Sequence, residues 1–332
     1  MSDSHPSPTP PAPTRRAALA MPMLLLAGRA LAQTGGEAGF PNRSVRIVVP
    51  YTPGGSADIA ARLLGERLSP VWGQPVVVEN RAGANGIIGT EAVAKAAPDG
   101  HTLGMVSVNH AVNVALYRTP FDTLRDLATL SVIYSVPLVL VAAPDFPANT
   151  PQELAALAKR RGGIGFAGTG GAVHLAAEMF AARAGVELTH VPYRGSTAAH
   201  PDLMAGRVGI MFDPLPSVLG HVQGGKLKAL AVTSAQRVAP LPDVPTMAEA
   251  GFPGFEAATW GALIAPAGLP VPVAARIAAD TAAQLREPAV RERFAGFGAT
   301  VVGNGPGEAQ EFVAAEVAKW SEVASRAGIE RQ

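Results

Sequence analysis

The sequence of 332 residues contains no cysteine. Disulfide bonds, cysteine-ligated metals and a lipid anchor on cysteine are therefore excluded. Charged residues make up only 16% of the chain and give a formal net charge of +1, and no run of lysine and arginine is longer than residues 159–161. Such a sparse and balanced charge pattern gives no indication of a nucleic-acid partner or of a membrane surface.

The motifs of common metal sites and hydrolases are also missing. The seven histidines are scattered singly rather than at the spacing of metal ligands. The sequence has neither a zinc-binding helix motif nor a nucleophile elbow. Residues 163–168 match the Gly-x-Gly-x-x-Gly pattern of dinucleotide sites, but these glycines bracket a predicted strand instead of following one. We therefore expect no cofactor, no metal and no enzymatic activity.

The first residues are typical of a secretion signal. The pair Arg15 and Arg16 precedes a short apolar run, and an A-x-A sequence ends at Ala32, just before Gln33. Residues 1–32 are therefore predicted to be a signal peptide that is cleaved near Ala32/Gln33, so that the protein acts in the periplasm. The apolar run is too short for a bilayer, which needs about 20 residues. The paired arginines leave both twin-arginine and Sec export open.

Short apolar strands alternate with helical patterns along the rest of the chain, from residues 45–49 to the amphipathic residues 308–327. This alternation predicts an α/β protein with mostly parallel sheets that are covered by helices on both faces. Thr150 and Glu153 form a capping box, which predicts a helix that begins at Pro151. The length leaves room for two lobes of ordinary domain size.

Two glycine-rich loops each follow a predicted strand and open a predicted helix. The first comprises residues 52–58 and the second residues 168–174. Unpaired amides at a helix start, together with the positive end of the helix dipole, form a site for an anion. Because ligands of open α/β sheets bind at the carboxyl ends of strands, the loops predict one anion held from two sides. Two ordinary tight turns in a glycine-rich chain remain the alternative interpretation.

Several stretches of sequence carry a family resemblance, and they follow one another along the whole chain after the predicted signal. They are residues 48–62, 77–86, 94–103, 190–195, 211–213, 260–261 and 265–268. In these stretches the chain resembles the Bug family, the TctC-like periplasmic substrate-binding proteins of tripartite tricarboxylate transporters.

The resemblance implies a two-lobed fold of the type II periplasmic-binding-protein kind, with the ligand cleft between lobes that two crossing segments join. Residues 41–142 together with 262–332 would form lobe 1, and residues 143–261 would form lobe 2. The crossings would lie near residues 141–143 and 259–263. No part of this division follows from composition or spacing.

The resemblance also implies that a small carboxylate is held by backbone amides of the two glycine loops. Further candidates are Ser107 and Asn109 after the third strand, Arg194, and Asp213 at the end of an apolar strand. Asp58 is expected to cap its helix rather than to contact an anion, because two negative charges repel. The candidate binding residues are Thr52, Gly54, Gly55, Ser56, Ala57, Asp58, Ser107, Asn109, Thr169, Gly170, Gly171, His174, Arg194 and Asp213.

Two departures from the family pattern leave the identity of the carboxylate open. Ala172 stands where family members often have a serine, and His200 with Pro201 stands where small residues are common. His200 has two interpretations, a partner for a second carboxylate of the ligand or a helix histidine that faces solvent. We expect the second.

The predicted function is a periplasmic solute receptor that delivers a small carboxylate to the membrane permease subunits of a tripartite tricarboxylate transporter. It is expected to act as a monomer that closes by a hinge motion between its lobes. Two alternatives remain open. One is a receptor that passes the liganded form to a sensor kinase, and the other is a periplasmic enzyme on the same fold.

Overall fold

The described part of the chain comprises residues 39–168, 171–193 and 195–332 in this computed structural model. It contains ten strands and ten α-helices, which alternate as far as β8. The predicted signal peptide lies outside these residues. Within them, no helix is both long and apolar enough to cross a membrane. The strands are β1 (Val45–Val49), β2 (Val76–Asn80), β3 (Thr102–Ser107), β4 (Leu127–Ala142), β5 (Ile164–Gly168), β6 (Leu188–Pro192), β7 (Ile210–Pro214), β8 (Lys228–Val232), β9 (Ala258–Pro266) and β10 (Thr300–Val301).

The helices lie between these strands and after the last long one. They are α1 (Ser56–Trp72), α2 (Ile87–Ala94), α3 (Asn109–Leu116), α4 (Pro151–Arg161), α5 (Gly171–Ala184), α6 (Ser196–Met204), α7 (Leu215–Gln223), α8 (Val271–Arg286), α9 (Pro288–Gly296) and α10 (Pro306–Arg326). The predicted start of α4 is confirmed, because the Thr150 side chain accepts a hydrogen bond from the Glu153 amide at 3.1 Å. A 3₁₀ turn, Ala84–Gly86, precedes α2.

The strands form a hydrogen-bonded path in the order β2-β1-β3-β9-β4-β7-β5-β6, and β8 and β10 also pair with β4. Among the described strands, parallel pairs occur at the two ends, between β1 and its neighbours and between β5 and its neighbours. Strands β4 and β9 run antiparallel to every strand they pair with. The prediction of mostly parallel sheets is therefore wrong for the centre of the path, where these two strands return the chain in the opposite direction.

Strand β4 takes part in two groups of strands. Its residues from Leu127 to Pro137 pair with β9, and its residues from Leu138 to Ala142 pair with β7 and β8. Thr233 supports the change of partner, since its hydroxyl accepts a 2.8 Å hydrogen bond from the Leu138 amide. The pairing changes between Pro137 and Leu138, a few residues before the crossing expected at residues 141–143. The division into two lobes stays a prediction.

Apolar side chains on successive strand residues lie inside, as expected for strands with helices on both faces. Leu103, Met105 and Val106 of β3 are all completely buried. Helix α10 packs against α3, α5 and β4. Helix α10 therefore packs beneath both α3 and α5, the two helices whose first residues form the candidate site described below.

Candidate functional site

The first glycine loop connects β1 to α1. Gly54 has a φ of 90°, in the left-handed region that favours glycine. Its amide donates a 2.9 Å hydrogen bond to the Asp58 carboxylate. No side chain caps the helix start at Gly55, so the amides of Ser56 and Ala57 have no acceptor within the helix. Asp58 thus fixes the loop that begins at Thr52 from the protein interior, and the amide donors lie on the exposed side of the loop.

Asp58 holds this loop in place. It was expected to cap α1, but no side chain caps the helix start at Gly55. From the third position of the helix the Asp58 carboxylate reaches back to the amide of Gly54, ahead of the helix start. It also accepts hydrogen bonds from Arg62 Nε at 3.0 Å and from Asn80 Nδ2 at 2.9 Å. These contacts, with the Arg62 hydrogen bond the strongest, lower the pKa of Asp58 to about 2. The residue is only 3% exposed, so it supports the loop from inside.

Tyr51 supports the same region and was missed by the sequence analysis. Its hydroxyl accepts hydrogen bonds from the amide and the hydroxyl of Ser107, at 3.1 and 2.8 Å. Burial raises the pKa of this phenol. A Cβ on Gly86 would lie 2.9 Å from the Tyr51 ring. The sequence signal that could have identified Tyr51 is its position as an aromatic residue between a strand and a glycine loop. The hydroxyl of Ser107, a predicted binding residue, donates its hydrogen bond to Tyr51.

Three predicted residues meet where α3 and α5 begin. Gly171 opens α5 with a φ of 55°, and a Cβ on it would lie 2.8 Å from Asn109 Oδ1 of α3. His174 follows one turn later on α5. Three further predicted residues, Thr169, Gly170 and Arg194, lie outside the described residues.

A cavity of about 480 Å³, the front cavity, lies between these helix starts. Asn109, Gly171 and His174 line it, whereas the first loop, Ser107 and Asp213 are not part of its wall. Amide and hydroxyl groups alternate with apolar side chains, and no lysine or arginine occurs among the described lining residues. The lining is Asn85, Val108, Asn109, Val112, Asn113, Leu116, Tyr117, Gly171, Ala172, Val173, His174, Thr259, Ile329, Glu330 and Gln332.

Asn85 is a lining residue that sequence reasoning did not single out. It has a φ of 53°, and Ala84 before it has a φ of 46°, both unusual for residues other than glycine. The Asn85 side-chain amide donates to the Tyr117 hydroxyl at 2.8 Å, and Asn113 donates to the Asn85 carbonyl at 3.1 Å. These bonds hold a strained segment at the cavity wall, where such strain commonly occurs.

Stacked rings support the second loop. His174 stacks on His190 with ring centres 3.9 Å apart, and His190 stacks on Phe166 at 5.1 Å. His174 Nε2 lies 3.2 Å from a Glu178 oxygen. His190 Nε2 lies 3.4 Å from the carbonyl oxygen of Gly168, which ends β5 and is the first residue of the loop. Burial, with a smaller contribution from His174, lowers the pKa of His190.

Asp213 is completely buried at the end of β7. One carboxylate oxygen lies 2.8 Å from His200 Nε2, and the other accepts a hydrogen bond from the Ser196 hydroxyl. The expectation that His200 faces solvent is wrong, because the inner side of α6 packs on β7 and leaves His200 only 4% exposed. Contact between Asp213 and a ligand stays a prediction.

Among the described residues, no three histidine or acidic side chains are placed to hold a metal ion. Amide donors at helix starts, around a cavity without lysine or arginine among its described lining residues, are the donor set of an anion- or solute-binding site. The α/β fold, with β4 shared between two groups of strands, and this cavity define the class of a solute-binding protein.

Comparisons with known proteins give the family. The model of the tripartite tricarboxylate transporter family receptor, TctC, matches residues 60–329. BugT of Bordetella pertussis (strain Tohama I) is 40% identical over 295 residues, which cover 87% of this chain and 90% of BugT. An R. palustris protein solved with adipate is 37% identical with a TM-score of 0.75, covering 88% of this chain and 100% of its own. MatC from Rhodopseudomonas palustris, solved with bound malate, is 32% identical with a TM-score of 0.71, covering 86% and 99%.

The chain belongs to the TctC family, whose members are periplasmic solute-binding receptors and not enzymes. The resemblance to Bug proteins and the predicted α/β fold class of periplasmic binding proteins are confirmed.

Proposed function

We propose that the protein is a periplasmic receptor that binds a small carboxylate in the front cavity and delivers it to the membrane permease of a tripartite tricarboxylate transporter. The observation that carries this proposal is the meeting of Asn109 and the start of α5 at a cavity of about 480 Å³. A cavity of this size suits a small molecule. Export through the predicted signal peptide and action as a monomer belong to the same proposal.

The charge of the front cavity favours recognition by amides over ion pairing. Its described wall has one acidic side chain, Glu330, one imidazole, His174, and no lysine or arginine. A carboxylate would therefore take its hydrogen bonds from the amides of the helix starts and from the side-chain amides of Asn109 and Asn113. The apolar side chains of Val112 and Leu116 would contact the carbon skeleton.

The first glycine loop would contact the ligand only when the two predicted lobes close around it. Its amides do not line the front cavity, so a ligand held by both loops requires the two predicted lobes, residues 41–142 with 262–332 and residues 143–261, to move together. A ligand drives such a movement only when it binds the closed form more tightly than the open form. The amides of Ser56 and Ala57 would supply that difference, because they have no acceptor within α1.

Relatives narrow the carboxylates to be tested. The R. palustris protein was solved with adipate and MatC with malate, both of which are dicarboxylates. Isothermal titration of the purified protein with adipate, malate and the neutral diamide of adipate tests the proposal. We expect at least one acid to bind and the diamide to fail, because the diamide keeps the length of adipate without its charges. Binding of the diamide as tightly as the acid would contradict recognition of an anion.

A melting experiment gives an independent measurement of the same binding. A ligand present at about 100 times its dissociation constant adds about 2.7 kcal/mol to the free energy of unfolding. The melting temperature of the protein should then rise by several degrees with the acid. No rise with any carboxylate, together with a rise for a neutral sugar, would reject the proposed ligand class.

A further inference from the structure

A second cavity, the rear cavity, lies on the other side of β9 and has a volume of about 550 Å³. Thr259 lines the front cavity, whereas its neighbours Ala258 and Trp260 line the rear cavity. Successive side chains of a strand point to opposite faces, so one strand separates the two cavities. Nothing in the proposed function uses the rear cavity.

The wall of the rear cavity is mainly apolar. Trp260, Phe312 and Leu215 provide its large side chains, and alanines at positions 257, 258, 295 and 299 leave the space between them open. Hydroxyl groups of Ser135, Thr233 and Thr300 lie in the same wall. An apolar space of this size with a few polar groups is typical of a small-molecule site.

The charges of the rear cavity compensate one another. Lys319 forms an ion pair with Glu316, whose other oxygen accepts hydrogen bonds from the indole nitrogens of Trp260 and Trp320 at 2.8 and 2.9 Å. Arg237 forms an ion pair with Glu249 at 2.9 Å. The wall contains two cationic and two acidic side chains, and both cations, Arg237 and Lys319, are engaged in ion pairs, so the cavity does not select an ion. It suits a neutral molecule with an apolar body and one polar group.

The rear cavity also touches the place where β4 changes its pairing partners. Thr233 lines it, and the Thr233 hydroxyl interacts with the backbone of Leu138 in β4 and of Ala257 just before β9. On the front side, the carbonyl oxygen of Trp260 accepts a 3.1 Å hydrogen bond from the amide of Val108, which lines the front cavity. A molecule that contacts Thr233 and Trp260 therefore contacts the groups that position both cavities.

We propose that the rear cavity is a second binding site, for a small neutral amphipathic molecule, and that its occupancy changes the affinity of the front cavity for the carboxylate. The second half of this inference rests on the proposed function, whereas the first half does not. Coupling between two sites must be reciprocal, and ordinary coupling changes affinities about 5- to 150-fold. We therefore expect a change of at least about fivefold in the carboxylate dissociation constant.

Fluorine NMR of the protein labelled with 5-fluorotryptophan tests the site directly, with benzyl alcohol as the probe. The chain has three tryptophans. Trp260 lines the rear cavity, whereas Trp72 donates its indole hydrogen bond to Asp280 of α8 and serves as an internal reference. We expect a saturable shift of the Trp260 resonance while the Trp72 resonance stays in place. A shift that does not saturate, or no shift, would overturn the site.

Variants that fill the rear cavity provide the second test. Ala258→Leu places a larger side chain in the cavity from β9, and Ala295→Leu does so from its rim on α9, where a folding defect is less of a risk because the position is exposed. Both should abolish the Trp260 shift, whereas Ala275→Leu, on the exposed side of α8, should retain it. A shift that persists in both cavity variants would overturn the assignment to this cavity.

Titration with adipate, or with malate if it binds more tightly, then measures the coupling in the presence and absence of benzyl alcohol. A Trp260 shift without a change in the carboxylate affinity would overturn the coupling. Failure of every carboxylate to bind would reject the proposed function instead, and the Trp260 shift would still decide whether the rear site exists.

Discussion

Each of the two glycine loops leads from a strand into a helix, but different interactions hold the two loops in place. Asp58 holds the first loop through an ion pair with Arg62 and a hydrogen bond from the Gly54 amide. Stacked rings of His174 and His190 support the second loop, close to the carbonyl of Gly168. One loop is thus supported by a carboxylate that stays ionised, and the other by stacked imidazole rings, of which the His190 ring is favoured in its neutral form.

This difference separates the two loops in their response to acid. The pKa of Asp58 is about 2, so its support is intact at every physiological pH. The pKa of His190 is lowered, which means that the fold favours its neutral ring and that mild acid opposes the stack. We infer that acidification loosens the second loop long before it affects the first.

The largest effect is expected from a side chain at the start of α5. Gly171→Val would place a Cβ 2.8 Å from Asn109 Oδ1 and force a branched residue into a φ of 55°. We expect the affinity for the carboxylate to fall at least about 100-fold, or about 2.7 kcal/mol, because the wall of the front cavity is pushed apart. Isothermal titration measures this loss.

Gly185→Val is the matched control for that variant. Gly185 follows the other end of α5 with a φ of 61°, and a Cβ there would meet nothing within 4 Å. Both variants place valine in the same left-handed backbone conformation, which lowers the free energy of unfolding by about 1–3 kcal/mol. Only Gly171, however, faces Asn109. Equal affinities in the two variants would remove the start of α5 from the binding site.

The next largest effect concerns the support of the first loop. Asp58→Asn removes the charge whose interactions lower the pKa from 3.8 to about 2, so the variant should lose about 2 kcal/mol of unfolding free energy at pH 7. At a pH between the two pKa values, 3.8 and about 2, the Asp58 carboxylate takes up a proton more readily in the unfolded chain than in the folded one. The stability contribution is therefore complete above about pH 4 and is lost as the pH falls towards 2. Urea unfolding at pH 7, 4 and 2.5 measures the difference.

Asp126→Asn is the control for an exposed charge. Asp126 pairs at 3.0 Å with the exposed Arg125 and accepts a 2.8 Å hydrogen bond from the Asp122 amide, and it is far more exposed than Asp58, so its ion pair contributes little to stability. We expect its unfolding free energy to change much less than that of the Asp58 variant. If both variants lose the same amount, the buried network around the first loop has no special role.

Much of the fold, but less of the site, could be predicted from the sequence. Strand-to-helix order and the capping box at Thr150 are local signals, and they predicted the α/β class and the start of α4 correctly. The antiparallel course of β9 could not be read in this way, since it depends on pairing between residues more than one hundred positions apart. The buried state of His200 was missed for a related reason, because a histidine on a short helix does not reveal that Asp213 lies opposite it.

Contacts between distant residues also explain the missed members of the site. Asn85 and Tyr51 lie within motifs that were recognised, yet their roles depend on Tyr117 and Ser107, which come much later in the chain. The glycine loops were found because glycine at a strand end is a local signal with a direct meaning for backbone amides. Asp58 and His174 were among the predicted residues, but their interactions with Asn80 and His190 were not predicted, because these contacts form only once the strands lie side by side.

The smallest effect is expected at His190, and it isolates the stacked rings. His190→Ala removes a ring between His174 and Phe166 and should cost about 1 kcal/mol, whereas His190→Phe keeps a flat ring and should retain most of that energy. The lowered pKa makes the unfolded chain the better proton acceptor, so the wild type should lose stability as the pH falls below about 6.5. His190→Phe cannot take up this proton and should show a weaker dependence on pH over the same range, measured by urea unfolding at pH 7.5 and 5.5. If His190→Phe and the wild type respond equally to acid, the second loop is not the acid-sensitive one, and the difference between the two loops would have to arise elsewhere.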